Sequence, residues 1–253
     1  MTPVLFIGHG SPMNALGENE YAQGWRQIAA AIEKPSAILC ISAHWYTGRT
    51  GVCTLENPRQ IHDFYGFPKA LYSLAYPARG APAYAWQAIT LLGGRAVEDN
   101  TWGVDHGTWC PLLFMYPDAD IPVFQMSINK NVPPEEHFEL GRALQPLREE
   151  NVLIVGSGNI VHNLALLDIE MRGGFDWAYA FDEYMMRAIK DCSADDVIQY
   201  NQAGESAKYA FFTPEHFYPL LYVLGAAGEY GRVQTFNRSC TAGSISMTSY
   251  LLG

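Results

Sequence analysis

The chain has 253 residues, a formal charge of −10 and only 16 Lys and Arg residues. This length suits one α/β domain that buries its core without disulfide bonds or structural metals. The lack of clustered cations excludes binding to the phosphate backbone of a nucleic acid. We therefore expect residues 1–253 to form one domain with no nucleic-acid partner.

The chain shows no targeting or membrane signal. The apolar run after Met1 is about five residues long, without the basic region or cleavage site of a signal peptide. No apolar stretch approaches the roughly 20 residues of a membrane span. The five cysteines are widely spaced, and no C-x-x-C pair occurs. We expect a cytoplasmic protein with mostly buried, reduced thiols and no membrane partner.

Short strand-like runs alternate with helical patterns along the chain. Buried strands, rich in Val, Ile, Leu and Phe, are predicted at residues 3–8, 37–43, 121–128 and 152–157. Helices are predicted at residues 20–33, 82–92, 134–150, 176–191 and 214–225. The alternation predicts an α/β fold, a single domain with a mostly parallel central sheet flanked by helices.

Two regions depart from this alternation. Residues 232–237 and 243–250 alternate polar with apolar side chains and predict strands at one edge of the sheet. Residues 55–81 form a long stretch rich in Pro, Gly and aromatic residues. Because structureless connections of this length are uncommon, we predict that this stretch is a lid or a substrate-binding segment.

Four of the seven histidines lie near strand ends or helix starts, namely His9, His44, His162 and His216. One such histidine is usually an ordinary hydrogen-bonded residue, but four of them predict a metal site. Ligands of α/β folds bind at the carboxyl ends of the strands, so we expect the metal at that rim. Imidazole suits Zn, Fe, Cu or Ni, and the spacing does not name the ion. Three protein ligands would leave open positions, as catalytic metals require.

Six blocks of sequence occur in order between residue 4 and about residue 250. They are Gly8–Met13, Ser42–Trp45, His62–Pro68, Trp102–Trp109, Gly156–Leu164 and Thr213–Leu220. Together they resemble the 4,5-DOPA extradiol dioxygenase family of class III ring-cleaving enzymes, which is related to the catalytic subunit of protocatechuate 4,5-dioxygenase. The resemblance implies an extradiol dioxygenase that opens a DOPA-like, para-substituted catechol with O2 to give a muconic semialdehyde.

The resemblance also implies one divalent metal ion per chain. It assigns His9, His44 and His216 as ligands, with His162 as a fourth ligand when zinc fills the site. His216 occupies the place of a glutamate in protocatechuate-type relatives. An all-histidine site is similar to that of zinc enzymes, so we expect Zn(II) in some preparations. Catalysis is assigned to Fe(II), because O2 chemistry needs a redox-active ion.

The candidate acid–base groups are His162 and His106, since histidine titrates close to neutral pH. Asp105 is expected to orient the ring of His106. His137, in contrast, lies in the acidic first turn of a predicted helix, and we expect it to be solvated or to cap its own turn.

Substrate recognition is predicted mainly from the aromatic block in the 55–81 stretch. The candidate substrate-binding residues are His62, Tyr65 and Asn163. An aromatic wall for a flat ring is predicted from Tyr65, Trp45 and Trp109. The expected partners are a small catechol and O2, with the chain acting as a monomer or a small homo-oligomer.

Two other function classes stay open. In the first, the same histidine cluster holds zinc and Glu215 is the base that activates water in a hydrolase. In the second, the chain is a non-catalytic metal-binding or protein-binding module, because one fold can host unrelated activities.

Overall fold

The computed structural model describes residues 1–253 and contains an eight-stranded sheet and a two-stranded sheet. The strands are β1 (Val4–Gly8), β2 (Ala37–Thr47), β3 (Thr50–Val52), β4 (Ala96–Glu98), β5 (Val123–Asn129), β6 (Val152–Gly158), β7 (Val233–Phe236), β8 (Cys240–Thr241), β9 (Ile245–Ser246) and β10 (Ser249–Leu252). The α-helices are α1 (Glu20–Ala30), α2 (Lys69–Tyr72), α3 (Pro82–Leu91), α4 (His106–Met115), α5 (Pro134–Ala143), α6 (Asp176–Lys190), α7 (Ala194–Ile198), α8 (Ala207–Ala210) and α9 (Tyr218–Ala227). Short 3-10 segments lie at Pro12–Ala15, Gln145–Glu150, Leu164–Leu166, Tyr200–Ser206 and Pro214–His216.

The large sheet has the strand order β4-β3-β5-β2-β6-β1-β10-β7. Its four central strands, β5, β2, β6 and β1, are parallel to one another. The antiparallel strands β10 and β7 extend the sheet beyond β1. This arrangement confirms the predicted α/β fold with a mostly parallel central sheet. The tail adds β10 and β7 at one edge as predicted, but residues 245–246 of the predicted 243–250 strand lie in the two-stranded sheet.

Alternate side chains of the central strands pack into two separate cores. In β1, Val4 and Phe6 belong to the core beneath α5, α6 and α9, whereas Leu5 and Ile7 belong to the core beneath α1 and α4. Both faces are apolar because a parallel sheet is covered by helices on both sides. The rim formed by the strand carboxyl ends is therefore the part of the sheet left to loops and ligands.

The predicted helices are present, with shifts at their ends. The helix predicted at 134–150 ends as an α-helix at Ala143 and is followed by the 3-10 segment Gln145–Glu150. Strand β2 runs to Thr47, beyond the predicted end at residue 43. Helix α4 was not predicted at all, and the 55–81 stretch contains the short helix α2.

The expectation that His137 is solvated is wrong. His137 is fully buried in α5, where its Nδ1 lies 3.0 Å from the hydroxyl of Tyr222 and its ring packs on Tyr218 of α9. Burial lowers the pKa of His137 to about 4, so the ring is neutral near pH 7. Position 137 faces α9 rather than solvent, because α5 packs along that helix.

The cysteine prediction is confirmed at four positions, since only Cys192 is exposed. No helix of this chain combines the length and apolarity needed to cross a bilayer.

Candidate metal centre

Three neighbouring parallel strands reach the same level at the rim, where β1 and β6 end. Gly8 of β1 pairs with Gly158 of β6, and Ser42 of β2 pairs with Ser157 of β6. His9 directly follows β1, and His44 lies where the pairing of β2 with β5 shifts register between Ile41 and Tyr46. This irregularity allows β2 to continue past the rim while it carries the His44 ring toward His9.

His216 reaches the same rim from a different part of the chain. It ends the 3-10 segment before α9, and its carbonyl accepts a hydrogen bond of 2.8 Å from the backbone N–H of Asn159. The carbonyl passes so close to Gly158 that a Cβ atom there would lie 2.0 Å from it. Glycine at the end of β6 is therefore what permits His216 to approach the strand.

The rings of His9, His44 and His216 form a nearly equilateral triangle. Their centroids are separated by 5.0, 5.4 and 5.2 Å. Imidazoles that share one ion through bonds of about 2.0–2.1 Å have centroids about 5 Å apart. The triangle therefore has the size of a three-histidine metal site.

The ligand atoms cluster most tightly in two sets, within each of which they lie no more than 4.8 Å apart. One set is His9, His44 and His106, and the other is His162, Glu215 and His216. The first set contains His106 where the sequence predicts His216. Rotation of a ring about its Cβ–Cγ bond moves its nitrogens and leaves its centre almost unchanged. The ligand set of His9, His44 and His216, which the triangle favours, stays a prediction.

Hydrogen bonds fix the proton of His9 on Nδ1. The hydroxyl of Ser157 donates to the carbonyl of Gly107, so its oxygen is left to accept from His9 Nδ1 at 2.9 Å. The side-chain carboxylate of Glu215 likewise lies 3.1 Å from Nδ1 of His216. Both rings therefore present a bare Nε2, which is the atom needed to bind a metal.

Asp63 holds two further imidazoles. Its Oδ1 accepts from Nδ1 of His106 at 2.9 Å, and its Oδ2 lies 2.9 Å from Nδ1 of His44, at an angle that is poor for a hydrogen bond. Although burial opposes it, the two imidazoles lower the pKa of Asp63, so the carboxylate is ionised. As an acceptor only, it favours protons on both Nδ1 atoms and leaves both Nε2 atoms bare.

The expectation that Asp105 orients His106 is wrong. The carboxylate of Asp105 accepts hydrogen bonds from Ser42, Trp102 and Gln125 instead. It is turned toward the sheet because Asp105 precedes α4, whereas the His106 ring points to the 55–81 stretch that supplies Asp63.

The facing Nε2 atoms of His9 and His44 are 3.1 Å apart. A protonated His44, which its raised pKa favours, can donate from Nε2 to His9, but in the neutral forms with both Nδ1 atoms protonated two lone pairs face each other. A cation shared by these atoms would convert this repulsion into coordination, and bonds of about 2.0–2.1 Å match such a separation. The residues present therefore fit a divalent metal that prefers nitrogen ligands.

His162 differs from the other four imidazoles in having no side-chain hydrogen bond. Its ring is stacked on that of His216, with centroids 3.5 Å apart and an interplanar angle of 10°. Burial, together with repulsion from His44 and His106, lowers the pKa of His162 to about 3. The ring is therefore neutral near pH 7.

Electrostatics keep most of the cluster uncharged. Burial and the neighbouring imidazoles hold the pKa values of His9 and His216 well below the ordinary value. Burial also lowers the pKa of His44, but Asp63 and other carboxylates outweigh this effect and the pKa is raised. Neutral imidazoles are the form that binds metals, so His9 and His216 favour ligation over protonation, whereas a metal competes with a proton at His44.

A cavity of about 280 Å³ brings these imidazoles together. Five histidines line it, namely His9, His44, His106, His162 and His216. The other walls come from Phe64 and Phe67 of the 55–81 stretch and from Leu164 and Leu167 after β6. A larger depression of about 510 Å³ lies elsewhere beside α6 and contains no histidine. The chemistry thus points to the smaller cavity, whose volume is close to the lower limit for ligand sites, about 300 Å³.

The three candidate substrate-binding residues do not line this cavity. His62 lies behind Phe64, with its Nε2 3.3 Å from the carbonyl of Leu74. Tyr65 is 92% exposed, and Asn163 uses its amide to donate to the carbonyl of Tyr209 and to accept from the backbone N–H of Ala165. Their roles in binding stay predictions.

The predicted aromatic wall is wrong for its three members. Trp45 and Trp109 are buried outside the cavity, and Tyr65 points to solvent. Phe64 and Phe67 of this irregular stretch supply the aromatic wall instead. Sequence reasoning also gave no role to Asp63, although it lies in the His62–Pro68 block and a carboxylate beside a histidine block is a common partner of imidazole.

The comparisons with known proteins identify the family of this chain. The family described as the catalytic LigB subunit of aromatic ring-opening dioxygenase matches residues 3–252. A 4,5-DOPA dioxygenase extradiol of Escherichia coli (strain K12) is 42% identical over 99% of this chain and 94% of its own length. A protein of the same name from Beta vulgaris is 39% identical over 97% of this chain and 94% of its own length.

A more distant relative and a solved structure are also similar to this chain. The dioxygenase tasH of Hapsidospora irregularis is 32% identical over 93% of this chain and 81% of its own length. The crystal structure of an uncharacterized protein from Escherichia coli K12 covers all of both chains with a TM-score of 0.85 and 38% identity. The chain therefore belongs to the family of the catalytic LigB subunit of aromatic ring-opening dioxygenases and is a ring-cleaving extradiol dioxygenase.

Proposed function

We propose that this chain opens the ring of a DOPA-like, para-substituted catechol with O2 and produces a muconic semialdehyde. The observation that carries the proposal is the triangle of His9, His44 and His216 imidazoles at one end of a cavity lined by two further imidazoles. The names of the relatives from Escherichia coli and Beta vulgaris support the substrate class.

The metal proposed is one divalent ion per chain, held by His9, His44 and His216. Bound there, Fe(II) would supply the redox chemistry with O2 and make the catechol oxygens lose protons more easily. Zn(II) suits the same ligands and has no redox chemistry, so we expect it in some preparations as an inactive substitute. His162, stacked on His216, is near enough to the site to serve as a fourth ligand in that form.

The proton transfers are assigned to His106 and His162. His106 receives support from Asp63, which holds the Nδ1 proton and leaves Nε2 free to accept a proton from the substrate. His162 is neutral near pH 7, is stacked on His216 and lines the cavity, where its ring faces the substrate. One ring can take the remaining catechol proton, and the same or the other ring can return a proton when the ring-opened product forms.

The flat ring of the substrate is proposed to lie between Phe64 and the histidines. The side chain of the substrate then extends toward the cavity mouth, where His62, Tyr65 and Asn163 remain candidates for contact with it. We expect the enzyme to act in the cytoplasm as a monomer or a small homo-oligomer.

The test is anaerobic loading with Fe(II), followed by DOPA and labelled O2. We expect two labelled oxygen atoms in a ring-opened aldehyde, which absorbs in the visible and then cyclises onto its own amine. A dicarboxylic muconate, or no oxygen uptake by protein with Fe(II) bound, would overturn the proposal. Protein loaded with Zn(II) is the matched control and should form no product.

A further inference from the structure

The walls of the cavity carry no formal charge apart from any protonated imidazole. None of its thirteen lining residues is Lys, Arg, Asp or Glu. Opposite the histidines, the surface is formed mainly by Phe64, Phe67, Leu164 and Leu167. A ligand in this cavity therefore meets imidazole at one end and apolar carbon at the other.

A second depression of about 220 Å³ adjoins the cavity and shares His162 and Leu164 with it. Its only charged lining residue is Glu215. Oε1 of Glu215 is held by His216, while Oε2 is buried without a hydrogen-bond partner. The one formal charge that lines these two adjoining spaces is therefore negative.

These walls distinguish substituents on a catechol by charge. Away from the metal ligands, a carboxylate on the ring would lose water and gain no cationic side chain, which destabilises it strongly, and a negative neighbour adds repulsion. A carboxyl group bonded directly to the ring cannot leave the apolar walls. A charge at the end of a flexible side chain, in contrast, can remain in water at the mouth.

We propose that the cavity selects catechols whose substituent is uncharged where it joins the ring, and rejects catechols with a carboxylate bonded to the ring. This inference rests on the proposed ring-opening function and names the substrate class more closely. Leu164 and Leu167 set the selectivity, because a group bonded to the ring packs against these apolar side chains before it reaches the mouth.

The test compares 4-methylcatechol with 3,4-dihydroxybenzoate, which have substituents of similar size. With Fe(II)-loaded protein, we expect kcat/KM to be at least about 100-fold lower for the acid, since a group left without its partner is rejected strongly. Calorimetry with Zn(II)-loaded protein measures binding without turnover, and we expect 4-methylcatechol to bind more tightly than the acid. Similar kcat/KM values and similar affinities for the two compounds would overturn the proposed selectivity and leave the ring-opening function intact. If neither ring is opened, the proposed function fails, and the binding order still decides the selectivity.

A substitution at the wall tests the assignment to named residues. Leu167→Arg places a guanidinium beside the substituent and should raise the ratio of kcat/KM for the acid to that for 4-methylcatechol by about 10-fold. Ile169→Arg is the matched control, since Ile169 is 79% exposed and does not line the cavity. An equal rise of this kcat/KM ratio in both variants would mean that the added arginine attracts the carboxylate from a distance, and would overturn the role of Leu167. Leu164→Arg repeats the test at a more exposed position if Leu167→Arg does not fold.

Discussion

Nδ1 of His106 donates to Oδ1 of Asp63 at 2.9 Å, and the backbone N–H of His106 donates to the same oxygen at 3.0 Å. The other oxygen of this carboxylate lies beside Nδ1 of His44. A single side chain from the 55–81 stretch thus connects a candidate base with a candidate metal ligand. Because partners of this kind fix the tautomer of imidazole, Asp63 governs which nitrogen of each ring is free.

Asp63→Asn should weaken both metal binding and turnover. The amide has one oxygen to accept a proton and one NH2 group that only donates, so it cannot accept from both rings. One ring must then carry its proton on Nε2 and lose its function as ligand or base. We expect a loss of about 10–100-fold in zinc affinity or in kcat, measured by competition with a chelator and by oxygen uptake with Fe(II) restored.

Asp99→Asn is the control for this substitution. Asp99 is also buried and accepts from Thr101, but it follows β4 at the far edge of the sheet. Zinc affinity and kcat should be unchanged in this variant. An equal loss in both variants would mean that the effect comes from stability and not from the His44 and His106 tautomers.

Removing one of the three candidate ligands should abolish stoichiometric metal binding. His9→Ala, His44→Ala and His216→Ala each leave two imidazoles of the triangle, too few to hold an ion tightly. Metal content per chain is measured after dialysis against a metal buffer, and His62→Ala, outside the cavity, should retain a full equivalent. Full occupancy in the His44→Ala protein would remove His44 from the ligand set, and full loss in a His106→Ala protein would add His106 to it.

The acid–base assignment predicts a different result at the remaining imidazoles. His162→Ala and His106→Ala should keep the fold and lose about 10²–10⁴-fold in kcat, the usual contribution of a positioned acid or base. The measurement is single-turnover ring opening with Fe(II) restored to each variant, and thermal unfolding checks the fold. Unchanged kcat in both variants would leave the proton transfers to other groups.

The sequence predicted the central strands and the rim because both depend on local patterns. Apolar runs such as 3–8 and 152–157 are buried on both faces, and their ends carry the histidines whose backbone positions the sheet brings together. Parallel pairing makes this step reliable, since neighbouring parallel strands end at the same edge.

The sequence did not predict α4 or the role of Asp63. Nine of the ten residues of α4 are buried and Pro111 lies within it, so it shows no apolar stripe with a helical period. The position of Asp63 depends on an irregular stretch that packs against α4, and no periodicity encodes such a path. The contacts between α4 and the irregular stretch that carries Asp63 could therefore not be predicted from local sequence patterns.

The last prediction concerns Gly158, whose missing side chain leaves room for the carbonyl of His216. A Cβ atom at this position would lie 2.0 Å from that oxygen, which is backbone, so one of the two segments must shift. Gly158→Ala should therefore separate β6 from the 214–216 segment, at a cost of about 1–3 kcal/mol in the free energy of unfolding, and should weaken zinc binding by moving the His216 ring. Gly231→Ala is the matched control, because nothing lies within 4 Å of a Cβ atom there and its φ is not positive. Denaturant unfolding measures the free energy of unfolding, and competition with a chelator measures the zinc affinity. If both quantities are the same in the Gly158→Ala and Gly231→Ala proteins, this close approach does not position His216.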